Sequence, residues 1–114
     1  MNLKEICEVI GAKVVCGEKL LGTEIEFAFS SDLMSDVLTV QCDNLLLITG
    51  LTNLQAIRTA EMSDIPCVLF VRNKPITDEM IELAEESDIV VLQSTRSLFF
   101  VTGELYKVGL KPVY

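Results

Sequence analysis

The chain contains no histidine. That removes the usual base for a serine or cysteine nucleophile and the commonest metal ligand. Its four cysteines, Cys7, Cys16, Cys42 and Cys67, form no C-x-x-C pair, so a zinc site lacks both imidazole and thiolate spacing. Each cysteine sits among apolar neighbours, and the expectation is four reduced thiols acting as small hydrophobes. The sequence has no G-x-S-x-G elbow for acyl transfer and no G-x-x-x-x-G-K-[ST] loop for phosphoryl transfer. These absences point to a chain without catalytic machinery of its own, holding no cofactor and no metal.

Positive charge is also scarce. Nine Lys and Arg stand against 17 Asp and Glu, for a net charge of −8. Nucleic-acid binding relies on basic side chains displacing counterions, so nucleic acid is excluded as an expected partner, and an anionic membrane surface with it. Long apolar runs are missing too. The longest are about five residues, against the ~20 that span a bilayer. Residues 1–10 mix charged and apolar side chains with no uncharged run behind a basic start, unlike a secretory signal. The expected location is therefore cytoplasmic.

What is present is the material of one folded domain. The chain has 114 residues, half of them hydrophobic. A chain of that length buries roughly two-thirds of its unfolded surface, enough for a core without disulfides or metal. Leu3, Ile6, Cys7 and Ile10 share one helical face, and Gly11 follows as a natural stop. Lys13 to Cys16 reads as a strand, Gly17 to Gly22 as a turn, and Glu24 to Phe29 as a half-exposed strand of period two. Ser30 or Ser31 is placed to cap a short helix whose face holds Leu33, Met34, Val37 and Leu38. Cys42-Asp43-Asn44 reads as a turn.

The remaining 70 or so residues have a β-α rhythm. Three nearly continuous apolar runs, Leu45–Thr49, Cys67–Val71 and Ile89–Gln93, read as strands covered on both faces. Each is followed by a helical pattern, so the strands are parallel with right-handed crossovers. Thr52 with Gln55 fits a capping box, Thr77 caps the next helix, and Ser94 or Thr95 opens the last. Ile76 and Ile81 fit a hydrophobic staple. The inward stripe of the last helix is Leu98, Val101, Thr102, Leu105 and Val108. The expected fold is α/β, a three-layer single domain with a mainly parallel sheet of consecutive β-α units. It spans residues 1–110, and 111–114 form a tail.

The strand-end loops carry the candidate site. Ligands in open α/β sheets bind beyond the carboxyl ends of the strands, and a helix start there favours an anion. Thr49, Gly50, Thr52 and Asn53 follow the first central strand, Arg72 and Asn73 (with Lys74) the second, and Ser94 and Thr95 (with Arg96) the third. The three loops converge on one rim and bring three positive charges to an acidic chain. Ser31, Asp32, Ser35 and Asp36 form a second candidate, a ligand or interface segment whose two carboxylates are four apart. The acidic helix from Thr77 to Asp88 reads as a solvated face. Gly103 inside the last helix suggests a close neighbour there, and adjacent Phe99 and Phe100 cannot both point into one core, which marks a possible interface.

The order of these residues resembles the DRTGG domain family. Gly17-Glu18, Leu21 and Ile25 lead into Ser31-Asp32-Leu33-Met34-Ser35-Asp36-Val37-Leu38. Leu47-Ile48-Thr49-Gly50 with Asn53 comes next, followed by Val68-Leu69-Phe70, Thr77-Asp78-Glu79 through Leu83-Ala84-Glu85-Glu86, Val91-Leu92 and Ser94-Thr95. The family is similar to the N-terminal domain of HPr kinase/phosphorylase, and it occurs beside CBS pairs, beside phosphotransacetylases, and alone. The resemblance implies an α/β domain, often dimeric, with a regulatory or ligand-sensing role. Leu21-Gly22-Thr23 stands where Asp-Arg is usual, and Arg72-Asn73-Lys74 where glycines are common. The leading expectation is a non-catalytic homodimeric sensor of a small phosphorylated anion. The alternatives are an adaptor for an enzyme, kinase or phosphatase partner, and an enzyme acting on a phosphorylated substrate.

Overall fold

A computed structural model describes residues 1–114. Six strands form one sheet: β1 (Lys13–Cys16), β2 (Phe27–Ser30), β3 (Leu45–Thr49), β4 (Cys67–Phe70), β5 (Val90–Gln93) and β6 (Lys111–Pro112). Their order across the sheet is β1-β5-β4-β3-β2-β6. All neighbours are parallel except β1, which runs antiparallel to β5. Five helices, α1 (Leu3–Ile10), α2 (Met34–Val37), α3 (Leu54–Met62), α4 (Asp78–Glu86) and α5 (Leu98–Lys107), cover both faces. The result is a three-layer α/β domain.

Alternation along the central strands builds two cores. Leu45, Leu47, Val68, Phe70 and Val91 face α2, α3 and α4, where they meet Met34, Val37, Ala56, Ile57, Ala60, Met80 and Ala84. Leu46, Ile48, Cys67, Leu69, Val90 and Leu92 face α1 and α5, meeting Leu3, Ile6, Ile10, Val101 and Leu105. A strand buried on both faces needs no polar alternation, which is why the three apolar runs are continuous.

Several boundaries differ from the sequence reading. Strand β2 begins at Phe27 rather than Glu24. Ahead of it, the Ile25 N–H goes to the Met1 carbonyl, and the Glu26 and Phe27 N–H groups both go to the Asn44 carbonyl, so no ladder forms there. Neither Ser30 nor Ser31 caps α2. Leu33 holds that position without a side-chain bond, and the Ser31 hydroxyl instead accepts the Leu33 N–H at 3.1 Å. On α2 only Met34 and Val37 are buried, while Leu33 and Leu38 face solvent. Asn53, not Thr52, caps α3 by accepting the Ala56 N–H at 3.1 Å. Ser97, not Ser94 or Thr95, caps α5. Thr77 caps α4 as expected.

The segment 111–114, read as a tail, contains the sixth strand. The Lys111 N–H donates to the Glu26 carbonyl at 3.0 Å, and Lys111 and Pro112 pair with Phe27 and Ala28. Pro112 lacks an N–H and is suited to an edge strand. The Tyr114 ring meets Phe29 edge-on, with centroids 6.3 Å apart.

Candidate functional site

The carboxyl ends of β2, β3, β4 and β5 lie side by side, because these four strands are parallel neighbours. The loops after them form the rim anticipated from the sequence, and they are tied together by their own backbone. The Val71 N–H donates to the Thr49 carbonyl, the Arg72 N–H to the Arg96 carbonyl, the Asn73 N–H to the Ser94 carbonyl and the Ser94 N–H to the Phe70 carbonyl. Arg72 and Asn73 both take left-handed backbone conformations, with φ of 68° and 52°. This uncommon conformation, tolerated better by Asn than by Arg, turns both N–H groups toward the β5 loop. They are spent within the fold rather than held out to a ligand.

Asp32, at the end of β2, joins the same rim. Its Oδ1 accepts the Thr49 hydroxyl at 3.0 Å and the Gly50 N–H at 2.7 Å. Thr49 and Gly50 are buried. Two converging donors on one oxygen are what an anion meets at a strand-to-helix turn, and here the chain's own carboxylate provides that oxygen. Lys74 holds the other side of the same residue, its Nζ donating to the Gly50 carbonyl at 2.7 Å. The Gln93 side-chain amide in turn donates to the Lys74 carbonyl at 2.7 Å. A Cβ on Gly50 would meet the Asp32 oxygens at 3.5 Å, an ordinary contact, so the turn does not require glycine there.

The remaining candidate residues have separate duties. The Thr52 hydroxyl donates to the Gly50 carbonyl, the Asn53 side chain caps α3, and the buried Ser94 hydroxyl accepts the Arg96 N–H. Arg96 lays its guanidinium 3.6 Å from the centre of the Phe100 ring. The Arg72 guanidinium joins no ion pair, and Arg72, Asn73 and Thr95 are exposed on the rim. Ser35 and Asp36 lie exposed on α2, away from the bonds that engage Asp32. No three His, Cys, Asp or Glu side chains stand close enough to hold a metal ion.

Lys74 and Gln93, which the sequence already places in the loops of the rim, complete it through bonds to the Gly50 and Lys74 carbonyls that the sequence did not show. Their signal was weak, since each acts across about 20 residues of chain. The thiols take no part in this site. Burial pushes Cys67 well above the ordinary thiol value, with Cys7 and Cys16 adding smaller contributions, so it stays neutral. Two clefts lie elsewhere on the surface. One of about 360 Å³ is lined by Met1, Glu24, Glu26 and Lys111 at the opposite end of the strands. Another of about 230 Å³, mostly apolar, lies between α5 and the β2–β6 edge.

A family model described as the HPr Serine kinase N terminus matches residues 49–107. A solved structure of the CBS and DRTGG domains from the regulatory region of Clostridium perfringens pyrophosphatase, complexed with the activator diadenosine tetraphosphate, superposes with a TM-score of 0.76 at 15% identity. The match covers 98% of this chain and 48% of that one, so this chain spans about half the length of that structure. No curated protein matches the sequence.

Proposed function

Because the chain belongs to the HPr Serine kinase N-terminus family, we propose that it is a non-catalytic regulatory domain that self-associates and senses a small phosphorylated anion at its strand-end rim. The observation that carries this reading is the pair of buried donors, Thr49 hydroxyl and Gly50 N–H, converging on one carboxylate oxygen, with the Lys74 ammonium on the carbonyl of the same Gly50 and Arg72 exposed on the neighbouring loop. The solved relative in fold is a regulatory region complexed with a dinucleotide activator, which supports the ligand class. No helix is long and apolar enough to cross a membrane.

On this reading the ligand displaces Asp32. Its phosphate oxygen takes over the two donors, and Arg72, Asn73 and Thr95 hold the rest of the anion from the open side. Arg72 contributes most, since a guanidinium matches phosphate geometry with two parallel donors. Departure of Asp32 releases the segment leading into α2, so occupancy of the rim is reported as a change in residues 31–40.

A thermal-shift series with inorganic pyrophosphate, diadenosine tetraphosphate and sugar phosphates tests the reading. A ligand at about a hundred times its dissociation constant stabilises the fold by roughly 2.7 kcal/mol. In a domain of this size that raises the melting temperature by about 10 °C. Arg72→Ala is expected to remove most of the shift. Absence of a shift with every anion, or an undiminished shift in Arg72→Ala, overturns the rim as the binding site.

A further inference from the structure

The outer face of α5 has the wrong chemistry for a surface left to solvent. With Val101 and Leu105 buried at its inner pole, the helical repeat places Phe99, Gly103 and Tyr106 at the outer pole. Phe99 is 90% exposed and Tyr106 67%. Helix α4 meets the usual expectation, carrying Asp78, Glu79, Glu82, Glu85 and Glu86 on its exposed surface. The apolar face continues past α5. Thr102 and Tyr106 line the 230 Å³ cleft together with Phe29, Val113 and Tyr114, and Tyr114 is itself 87% exposed.

We propose that this face is where a second copy of the chain docks, with α5 packed antiparallel on α5 and each Phe99 seated in the other copy's cleft beside Tyr106 and Tyr114. The inference rests on the self-association in the reading above and gives it a surface.

A two-fold axis at the Thr102–Gly103 peptide, midway between Phe99 and Tyr106, is the arrangement that brings each Phe99 to the other copy's Tyr106 in an isologous dimer, and within the chain a Cβ on Gly103 would meet nothing within 4 Å. Two observations select a second copy as the occupant. The first is charge. A chain at −8 repels its own copy over most of its surface, but the one acid on α5, Glu104, is paired with Lys107 at 3.3 Å. The second is area. At typical aromatic sizes, Phe99, Tyr106 and Tyr114 offer about 500 Å² per chain. The two-fold doubles this to about 1,000 Å², the lower threshold for a specific interface.

Sedimentation equilibrium of the full chain at about 100 μM decides the matter, since an interface this small holds in the micromolar range. The expected mass is twice the 12.6 kDa of one chain. Phe99→Asp should reduce it to a single chain with an unchanged circular dichroism spectrum, because so exposed a ring contributes little to its own fold. Glu82→Lys on α4 serves as a control and should leave the dimer intact. A monomeric wild type, or a Phe99→Asp variant that remains dimeric, overturns the interface. The thermal shift with pyrophosphate is read in the same samples. A dimer without a shift sinks the ligand reading and leaves this interface standing, and a shift in a monomer does the reverse.

Discussion

Replacing Asp32 with alanine separates the structural duty of its carboxylate from its place in the anion site. Thr49 is fully buried and Gly50 is buried beside it, so water does not readily replace the lost acceptor. Hydrogen bonds to a charged group contribute about 1.5–3 kcal/mol each, and a buried donor left unpaired costs a similar amount. Asp32 itself is exposed, and solvent screening of its charge brings the expected total to about 2 kcal/mol. That lowers the melting temperature by about 8–10 °C in a domain of this length. The Asp32→Asn variant keeps a neutral oxygen at the same place and should lose about half as much. Differential scanning fluorimetry measures both variants. With pyrophosphate present the order reverses in part, because Asp32→Ala no longer competes for the Thr49 and Gly50 donors and should show a larger ligand shift than the wild type. An Asp32→Ala variant melting within about 1 °C of the wild type would refute the assigned strength of the tie. A ligand shift no larger than the wild type's would refute displacement.

Other perturbations address the fold and its thiols. Phe70 is the largest fully buried side chain, so Phe70→Ala is expected to cost about 3–5 kcal/mol, visible as a lower urea midpoint. Gly17 has φ of 90°, and a Cβ there would lie 2.9 Å from the Val90 Cα, so Gly17→Ala should lower the melting temperature measurably; an unchanged value would contradict that close approach. Cys67 stays protonated in the fold above its ordinary value of 9.0, whereas the unfolded chain loses that proton. Its contribution to stability is therefore complete below about pH 9 and falls as pH rises toward the folded value. Urea titrations between pH 8 and pH 10 should show the decline (roughly the span over which an unfolded thiol ionises), and Cys67→Ala should lessen it, the remainder coming from Cys7, Cys16 and Cys42, which are pushed the same way by burial. Native-state titration with a thiol reagent should leave Cys67 unmodified until denaturant is added.

The rim was legible where its residues act through the chain next to them. Leu45–Thr49 reads as a buried strand because both faces of β3 are covered, and the turn after it must then lie at the sheet's carboxyl edge. The same logic placed the Arg72 and Ser94 loops beside it. Which hydroxyl caps which helix was not legible, because several neighbours are chemically competent. Thr52 and Ser94 are diverted to the Gly50 carbonyl and the Arg96 N–H, leaving Asn53 and Ser97 to cap. The sixth strand was hidden for another reason. Two residues, one of them proline, carry no periodicity, and β6 exists only because β2 offers an open edge to Lys111.

Asp32 combines both situations and explains why the site was only half readable. Its carboxylate suggested ligand chemistry, but the sequence spacing paired it with Asp36, four residues on. The fold pairs it instead with Thr49 and Gly50, across 17 and 18 residues. A carboxylate at a parallel strand's end is drawn to the nearest free N–H groups, and these belong to the neighbouring strand's turn rather than to its own helix. The pairing therefore follows from the β2–β3 register, in which Ser30 lies opposite Ile48 and brings the two turns level. Any chain with this register, an Asp two residues after β2 and a Thr-Gly at the end of β3 should close the same contact. Moving the acid from position 32 to 31, as Ser31→Asp with Asp32→Ser, should open it and reproduce the melting loss of Asp32→Ala.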